Sequence, residues 1–222
     1  MTRTIFPSLA LIALLTLVGI IAGLVGGAAF APDADAIVCL MHWRQASPGL
    51  TQAVIAITQL GSAYVTIGGG VLAAAWLALH QQRLRALIMA GAVAADRLVL
   101  DGSKLLVDRP RPAFDPHPVM VTSTSFPSGH AGNSMAVFLA IALIAVPARY
   151  RLAAVIVAVT ASLIVGLTRP YLGVHWPSDV VGGWAIGAAV AVAASLVAQR
   201  WSVAPQQQHE IIGGHDPALG QD

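Results

Sequence analysis

The sequence predicts an all-α integral membrane protein, a bundle of six transmembrane helices. Hydrophobic residues make up 57% of the 222 residues and charged residues only 10%, whereas a soluble globular domain carries about 25% charged residues. The apolar residues fall into six runs, most of them close to the roughly 20 residues that a helix needs to cross a bilayer. Polar segments separate these runs. Three of these polar segments together contain two histidines, a carboxylate and several cations.

The first half of the chain contains three of the runs. The first span covers about residues 8–30, and its apolar core exceeds the roughly 7–15 residues of a signal peptide. We therefore expect a retained helix and not a cleaved leader. Residues 31–51 are expected to form a polar loop, and the second span covers about residues 53–79. The third span covers about residues 86–107.

Charged residues are concentrated in the second half of the third span. Arg97, Asp101, Lys104 and Asp108 follow i, i+4, i+7, i+11 spacing and therefore share one helical face. Charges that face lipid are unfavourable, so this face must point into the bundle or into a wet cavity. For Arg97 and Asp101 two interpretations stay open: a buried structural ion pair, or a pair that positions Lys104.

The second half of the chain contains the other three runs and a polar tail. The fourth, fifth and sixth spans cover about residues 130–147, 152–167 and 178–197. Residues 168–177 form a short loop, and Pro177 suits the first turn of the last helix. The polar stretch 202–222 is expected to be disordered, which leaves residues 1–201 as the membrane domain.

The arginines predict the orientation of the bundle. Six spans place both termini on one side, and that side collects Arg3, Arg83, Arg85, Arg149, Arg151 and Arg200. The positive-inside rule makes it the cytoplasmic side of the inner (plasma) membrane. The loops after the third and fifth spans then emerge on the outer face, toward the periplasm or cell exterior. A site formed by these loops would lie at the outer membrane–water interface.

Composition excludes several other classes. The formal net charge of +2 is too small to suggest a nucleic-acid partner. The single cysteine, Cys39, rules out an internal disulfide and a cysteine-based metal site.

Three polar segments carry the chemistry, residues 104–112, 126–130 and 168–179. A phosphate monoester carries about −1.5 to −2 charges at neutral pH. Lys104, Arg111 and Arg169 can neutralise it, with bidentate contacts from the arginines. Ser128 and Gly129 open the fourth helix, where free backbone N–H groups bind anions and a glycine allows close approach. The sequence thus predicts a phosphate-binding site.

Two histidines can divide the work of breaking a phosphate ester. His175 and Asp179 are spaced i, i+4 at the start of a helix. A carboxylate in that position can keep one ring nitrogen protonated and leave the other free to attack phosphorus. His130 would then be the general acid that protonates the leaving alkoxide.

These segments resemble the signature of the type-2 phosphatidic-acid phosphatase superfamily, which shares its core with vanadium haloperoxidases. The family pattern is Lys-x6-Arg-Pro, then Pro-Ser-Gly-His, then Ser-Arg-x5-His-x3-Asp. Here the three elements begin at Lys104, Pro127 and Thr168, in the same order and with the same internal spacing. Thr168 replaces the usual serine and keeps a hydroxyl. The motifs cover residues 104–179.

The resemblance implies a phosphatase that needs no metal or other cofactor and passes through a phosphohistidine. His175 resembles the nucleophile, Asp179 its partner and His130 the acid. The phosphate-binding residues would be Lys104, Arg111, Ser128, Gly129 and Arg169. Membrane members of the family act on lipid phosphates and diphosphates, including phosphatidic acid, phosphatidylglycerophosphate and undecaprenyl diphosphate. The sequence does not distinguish among these lipids, and it does not specify the oligomeric state.

Three other functions compete with a lipid phosphatase. A phosphotransferase would pass the phosphate from the same intermediate to another lipid. A metallohydrolase would use His130, His175 and Asp179 as ligands, but three nearby cations oppose a divalent metal. A transporter or a catalytically silent binding protein would not need every residue required for turnover, and all of them are present.

Overall fold

The computed structural model describes residues 2–113 and 118–212. Over these residues the chain forms α-helices joined by short turns, with no β-strand, which confirms the predicted all-α class. The eight α-helices of this described part are α1 (Thr2–Val25), α2 (Ala31–Ala46), α3 (Pro48–Thr58), α4 (Ala63–Leu79), α5 (Arg83–Val107), α6 (Gly129–Ala140), α7 (Arg151–Tyr171) and α8 (Pro177–Ile212). Short 3₁₀ segments cover Gln59–Gly61 and Ala148–Tyr150, and a π-helical segment, Ile141–Ala145, continues α6.

Helix α6 lies at the centre of the bundle. Nine of its 12 residues are buried, and its most extensive contacts are with α8. Small residues on α8 allow this close approach. A Cβ atom at Gly183 would lie 2.5 Å from the carbonyl oxygen of Ser128, and one at Gly187 would lie 2.4 Å from that of Gly132. The α6–α8 contact therefore fixes where α6 begins, which is where the Pro-Ser-Gly-His segment lies.

The described residues contain three helices that are long and apolar enough to cross a membrane. These are Pro7–Val25, Ala148–Tyr171 and Pro177–Trp201. A fourth span arises if Pro48–Gly61 and Ala63–Leu79, which meet at an angle of 43°, are one broken helix. Charged side chains interrupt α5, and the apolar helix Gly129–Ala145 is shorter than a full span. The arrangement of six spans stays a prediction.

The predicted polar loop at residues 31–51 is wrong, because most of it is helical. Helix α2 begins with Pro32 in its first turn, a favourable position for proline. Its acidic residue Asp33 is buried and accepts hydrogen bonds from the backbone N–H groups of Gly27 and Ser178, at 2.7 and 2.9 Å. The polar residues that suggested a solvated loop instead connect α1, α2 and α8.

Two other predicted boundaries differ from the structure. Helix α7 continues to Tyr171, so Thr168 and Arg169 lie in its last turn and not in a loop. Helix α8 begins at Pro177, as predicted, and continues past Trp201 to Ile212. The polar residues 202–212 are thus helical where we expected disorder, and the remainder of the predicted tail, 213–222, lies outside the described residues.

Candidate active site

A cavity of about 350 Å³ lies where α5, α6 and α7 meet the loops that precede α6 and α8. Six of the eight site residues predicted from the sequence line it: Lys104, Arg111, Gly129, His130, Arg169 and His175. The other two, Ser128 and Asp179, are fully buried beside it. The structure thus brings together predicted site residues that lie as far apart in the chain as Lys104 and Asp179.

His175 lies between a carboxylate and a guanidinium. It belongs to the loop at residues 172–176, which turns through Gly173 at a φ of +71°, a conformation that glycine adopts readily. Its Nδ1 atom lies 3.5 Å from Oδ2 of Asp179, and Nη1 of Arg111 lies 3.1 Å from its Nε2 atom. In the Nδ1–H tautomer the ring proton faces this carboxylate, while the Nε2 lone pair faces the cavity and accepts a hydrogen bond from Arg111.

The carboxylate of Asp179 is held by three other groups. Its Oδ1 atom accepts a hydrogen bond from Nη1 of Arg109 at 2.7 Å. Its Oδ2 atom accepts from the hydroxyl of Ser125 and from the backbone N–H of Trp176, the latter at 2.8 Å. A buried carboxylate requires such partners to remain ionised. The orientation of Asp179, and with it that of His175, thus depends on these contacts.

Lys104 and Arg111 both contact Ser123 and Thr124 in the loop before α6. Nζ of Lys104 donates to the hydroxyl of Ser123 and to the carbonyl of Thr124, both at 3.3 Å. Arg111 donates to the carbonyls of Ser123 and Val174, at 2.7 and 2.6 Å. Both cations are therefore held beside each other and beside the loop that carries His175.

Arg169 is buried and is anchored by the bend between α3 and α4. Its Nη1 atom donates to the hydroxyl of Thr58 at 2.9 Å, and the hydroxyl of Thr168 donates to the same oxygen at 2.8 Å. Thr58 is the last residue of α3, directly before the Gln59–Gly61 segment. The broken helix thus supplies the contact that orients the third cation.

The start of α6 contributes Ser128, Gly129 and His130. The backbone N–H of Ser128 donates to the carbonyl of Asp179 at 2.9 Å, which joins the starts of α6 and α8. The Ser128 hydroxyl is buried without a hydrogen-bond partner among the described residues. Gly129 and His130 line the cavity, so the first turn of α6 presents backbone N–H groups and an imidazole to it.

The environment of His175 disfavours its charged form. Burial lowers the pKa of His175 well below its ordinary value of 6.5, and the charges of Arg111, Arg169 and Lys104 lower it further. Burial also lowers the pKa of Arg111. The cavity therefore suits a dianion, which could contact the positive charges of Lys104, Arg111 and Arg169 and the neutral imidazole at the same time.

The sequence did not identify four residues that hold the site in place: Thr58, Arg109, Ser123 and Ser125. Arg109 has a detectable signal, because it repeats the Arg-Pro pair of Arg111 two residues earlier. The three hydroxyl residues carry no such signal, since serine and threonine are common in helices and loops of any function.

Comparison with known proteins identifies the family to which this helical bundle belongs. A sequence model of the PAP2 superfamily matches residues 85–202, more than half of the chain. The chain belongs to the PAP2 superfamily, and the family predicted from the three motifs is confirmed.

Individual relatives agree with this assignment. Phosphatidylglycerophosphatase B of Bacillus subtilis (strain 168) is 32% identical over 145 residues, which cover 63% of this chain and 71% of the relative. A crystal structure of a transmembrane PAP2 type phosphatidylglycerolphosphate phosphatase from Bacillus subtilis has a TM-score of 0.76 and 27% identity, and the match covers 87% of this chain and 96% of that chain. The protein is accordingly a multi-pass membrane protein.

A more local similarity connects the chain with enzymes acting on another lipid. Lipid A 1-phosphatase of Rhizobium johnstonii is 41% identical over 76 residues, and Lipid A 1-phosphatase of Rhizobium etli is 36% identical over 88 residues. These matches cover only 29% and 35% of the respective relatives. All of these relatives are phosphatases of lipid phosphates.

Proposed function

We propose that the protein is a metal-independent lipid phosphatase that forms a phosphohistidine on His175. Its substrate is a lipid phosphomonoester or diphosphate, such as phosphatidylglycerophosphate, phosphatidic acid or undecaprenyl diphosphate. The observation that carries the proposal is the position of His175, with Nδ1 directed at Asp179 and Nε2 at a cavity lined by three cations.

The proposed reaction has two steps, formation of the phosphohistidine and its hydrolysis. Nε2 of His175 attacks phosphorus while the bond from phosphorus to the leaving oxygen breaks, and protonated His130 gives its proton to that oxygen. The lipid alcohol leaves from a monoester, and the lipid monophosphate leaves from a diphosphate. Water then attacks the phosphohistidine, His130 takes a proton from that water, and inorganic phosphate is released. Asp179 stabilises the positive charge on the His175 ring. Three cations stabilise the charge on the equatorial oxygens: Lys104, Arg111 and Arg169.

Electrostatics favour a mechanism without a metal ion. A divalent cation held by His130, His175 and Asp179 would be repelled by the three cations of the same cavity. The Asp179 carboxylate also already accepts hydrogen bonds from Arg109, Ser125 and the Trp176 backbone. Full activity in the presence of a chelator is the expected result.

The orientation of the site follows from the positive-inside rule. In the proposed six-span arrangement the cavity opens at the outer membrane–water interface of the inner membrane. A lipid in the outer leaflet can then place its phosphate in the cavity while its chains remain in the bilayer.

Rapid-quench trapping with ³²P-labelled lipid phosphate tests the proposal. Wild-type protein is expected to form acid-labile phosphoprotein and to release phosphate without an acceptor lipid. His175→Ala is expected to form no phosphoprotein. His130→Ala is expected to form it slowly from a monoester and faster from a diphosphate, whose leaving group needs less protonation.

Two outcomes would contradict this assignment. Phosphoprotein that still forms in His175→Ala would place the nucleophile elsewhere. Phosphate release that requires a second lipid would make the protein a phosphotransferase.

A further inference from the structure

Arg97 and Asp101 line the active-site cavity but belong to none of the three motifs. Nη2 of Arg97 donates to Oδ2 of Asp101 at 3.0 Å. Their side chains are 35% and 55% exposed, so the pair is not the buried structural ion pair that was one of the two expectations. The two charged groups form part of the polar wall of the cavity.

The pair lies deeper along α5 than the phosphate-binding end of that helix. Asp101 precedes Lys104 by three residues and Arg97 precedes it by seven. At a rise of about 1.5 Å per residue, they lie roughly 4.5 and 10 Å from Lys104 along the helix axis. The exposed leucines Leu98 and Leu105 lie on the flank of α5, about a quarter of a turn from the charged face. One face of α5 therefore carries a cation, a carboxylate and a second cation in line.

The guanidinium of Arg97 retains hydrogen-bonding capacity. Asp101 accepts from one of its five N–H groups, and the others have no partner among the described residues. A half-exposed ion pair of this kind contributes little to stability, and charges within a membrane protein are unfavourable unless they have a use in a cavity. The pair is thus better explained by a ligand than by the fold.

We propose that Arg97 and Asp101 form a leaving-group subsite for a lipid phosphomonoester that contains a second phosphate. Arg97 binds that second phosphate, a diester, and Asp101 accepts a hydrogen bond from a hydroxyl on the linker between the two phosphates. The scissile phosphate occupies the cation-lined end near Lys104. This inference rests on the proposed function and specifies its substrate class.

The distance between Arg97 and Lys104 along α5 distinguishes among the candidate lipids. Phosphatidylglycerophosphate places a phosphodiester one hydroxylated three-carbon linker away from its terminal phosphate, which suits the separation of two helical turns. Phosphatidic acid has no second phosphate. In undecaprenyl diphosphate the two phosphates share an oxygen, so the second phosphate remains near Lys104 and does not reach Arg97.

The test compares two substrates with identical acyl chains, phosphatidylglycerophosphate and phosphatidic acid, in the same detergent micelles. The measured quantity is the ratio of their kcat/KM values. Arg97→Gln is expected to lower this ratio roughly 10- to 100-fold, the scale of one charge-assisted hydrogen bond. Asp101→Asn is expected to lower it in the same direction. The control variant Arg85→Gln, on the same helix but outside the cavity, is expected to leave the ratio unchanged.

An exchange of the two charges separates recognition from support of the fold. The double variant Arg97→Asp/Asp101→Arg keeps an ion pair but moves the cation one turn toward Lys104. Under the proposal, the ratio of the two kcat/KM values stays as low in this double variant as in Arg97→Gln. A ratio that returns to the wild-type value, or single variants that slow both substrates equally, would show a structural pair and overturn the subsite. Wild-type protein that hydrolyses undecaprenyl diphosphate but neither of these two lipids would overturn the subsite alone, whereas protein that hydrolyses none of the three would overturn the proposed function itself.

Discussion

Asp179 connects His175 to the rest of the structure. The motif spacing predicts a contact between Asp179 and His175, and the two side chains do face each other at 3.5 Å. The same carboxylate forms a buried ion pair with Arg109. Breaking a buried pair by removing one partner leaves an uncompensated charge. The site therefore depends on Arg109 although that side chain does not line the cavity.

The surroundings of His175 predict an unusual dependence of activity on pH. An ordinary histidine gains a proton, and loses nucleophilicity, as the pH falls through about 6.5. Burial and the charge of Arg111 lower the pKa of His175 well below that value. Wild-type activity is therefore expected to persist into the acidic range. Arg111→Gln removes the largest charge effect, so the acid limb of kcat/KM should move to higher pH.

The measurement is the logarithm of kcat/KM against pH for the wild type and for Arg111→Gln. A lipid phosphate also titrates near pH 6, but its ionisation is the same in both experiments. Any difference in the acid limb consequently belongs to the enzyme. Coincident acid limbs would show that Arg111 does not act on the protonation of His175.

The break between α3 and α4 positions two parts of the site. On one side of it, Thr58 accepts a hydrogen bond from Arg169. On the other side, Gly61 packs against the start of α6, and a Cβ atom there would lie 2.8 Å from the His130 carbonyl and 2.4 Å from a methyl group of Val165. A straight helix through this region would not bring both contacts to the cavity.

Alanine at Gly61 is expected to lower both stability and activity. The added methyl group must displace the His130 backbone or the Val165 side chain, because both lie closer than van der Waals contact. We expect a loss of about 1–3 kcal/mol in unfolding free energy, the usual effect of overpacking, and a fall in kcat. Thermal unfolding in detergent and phosphate release measure the two effects.

Gly68 provides the matched control on α4. A Cβ atom there would have no neighbour within 4 Å. Gly68→Ala is expected to leave kcat unchanged and to raise stability by up to about 1 kcal/mol, since alanine favours a helix more than glycine does. Equal effects of the two substitutions would show that the α3–α4 break does not support the site.

Apolar runs predicted where most helices lie, but not how they bend or end. A run of about 20 apolar residues has the same composition whether it is straight or broken, so the bend at Gln59–Gly61 was not predicted. The helix at residues 31–46 was missed because Asp33 and Arg44 resemble solvated loop residues, although both are buried. The three motifs predicted the family correctly, because phosphate chemistry restricts both residue type and spacing.

The two ends of the whole bundle differ in chemistry. At one end, α5 and α7 finish and α6 and α8 begin, and this end contains the cavity. At the other end lie the turns between α4 and α5 and between α6 and α7. Those turns carry exposed arginines, including Arg83 and Arg149. This polarity supports a single orientation in the membrane, with the arginine-rich end in the cytoplasm.

Cysteine accessibility tests that orientation in intact cells. The native Cys39 is exposed, so it is first replaced by Cys39→Ser. A single cysteine is then introduced by Thr122→Cys, in the exposed loop beside the cavity, or by Gln81→Cys, in the exposed turn before α5. An impermeant maleimide is expected to label the first variant in intact cells, with the outer membrane permeabilised where one is present, and the second only after lysis. The reverse pattern would place the cavity in the cytoplasm, and labelling of both variants in intact cells would contradict the proposed number of spans.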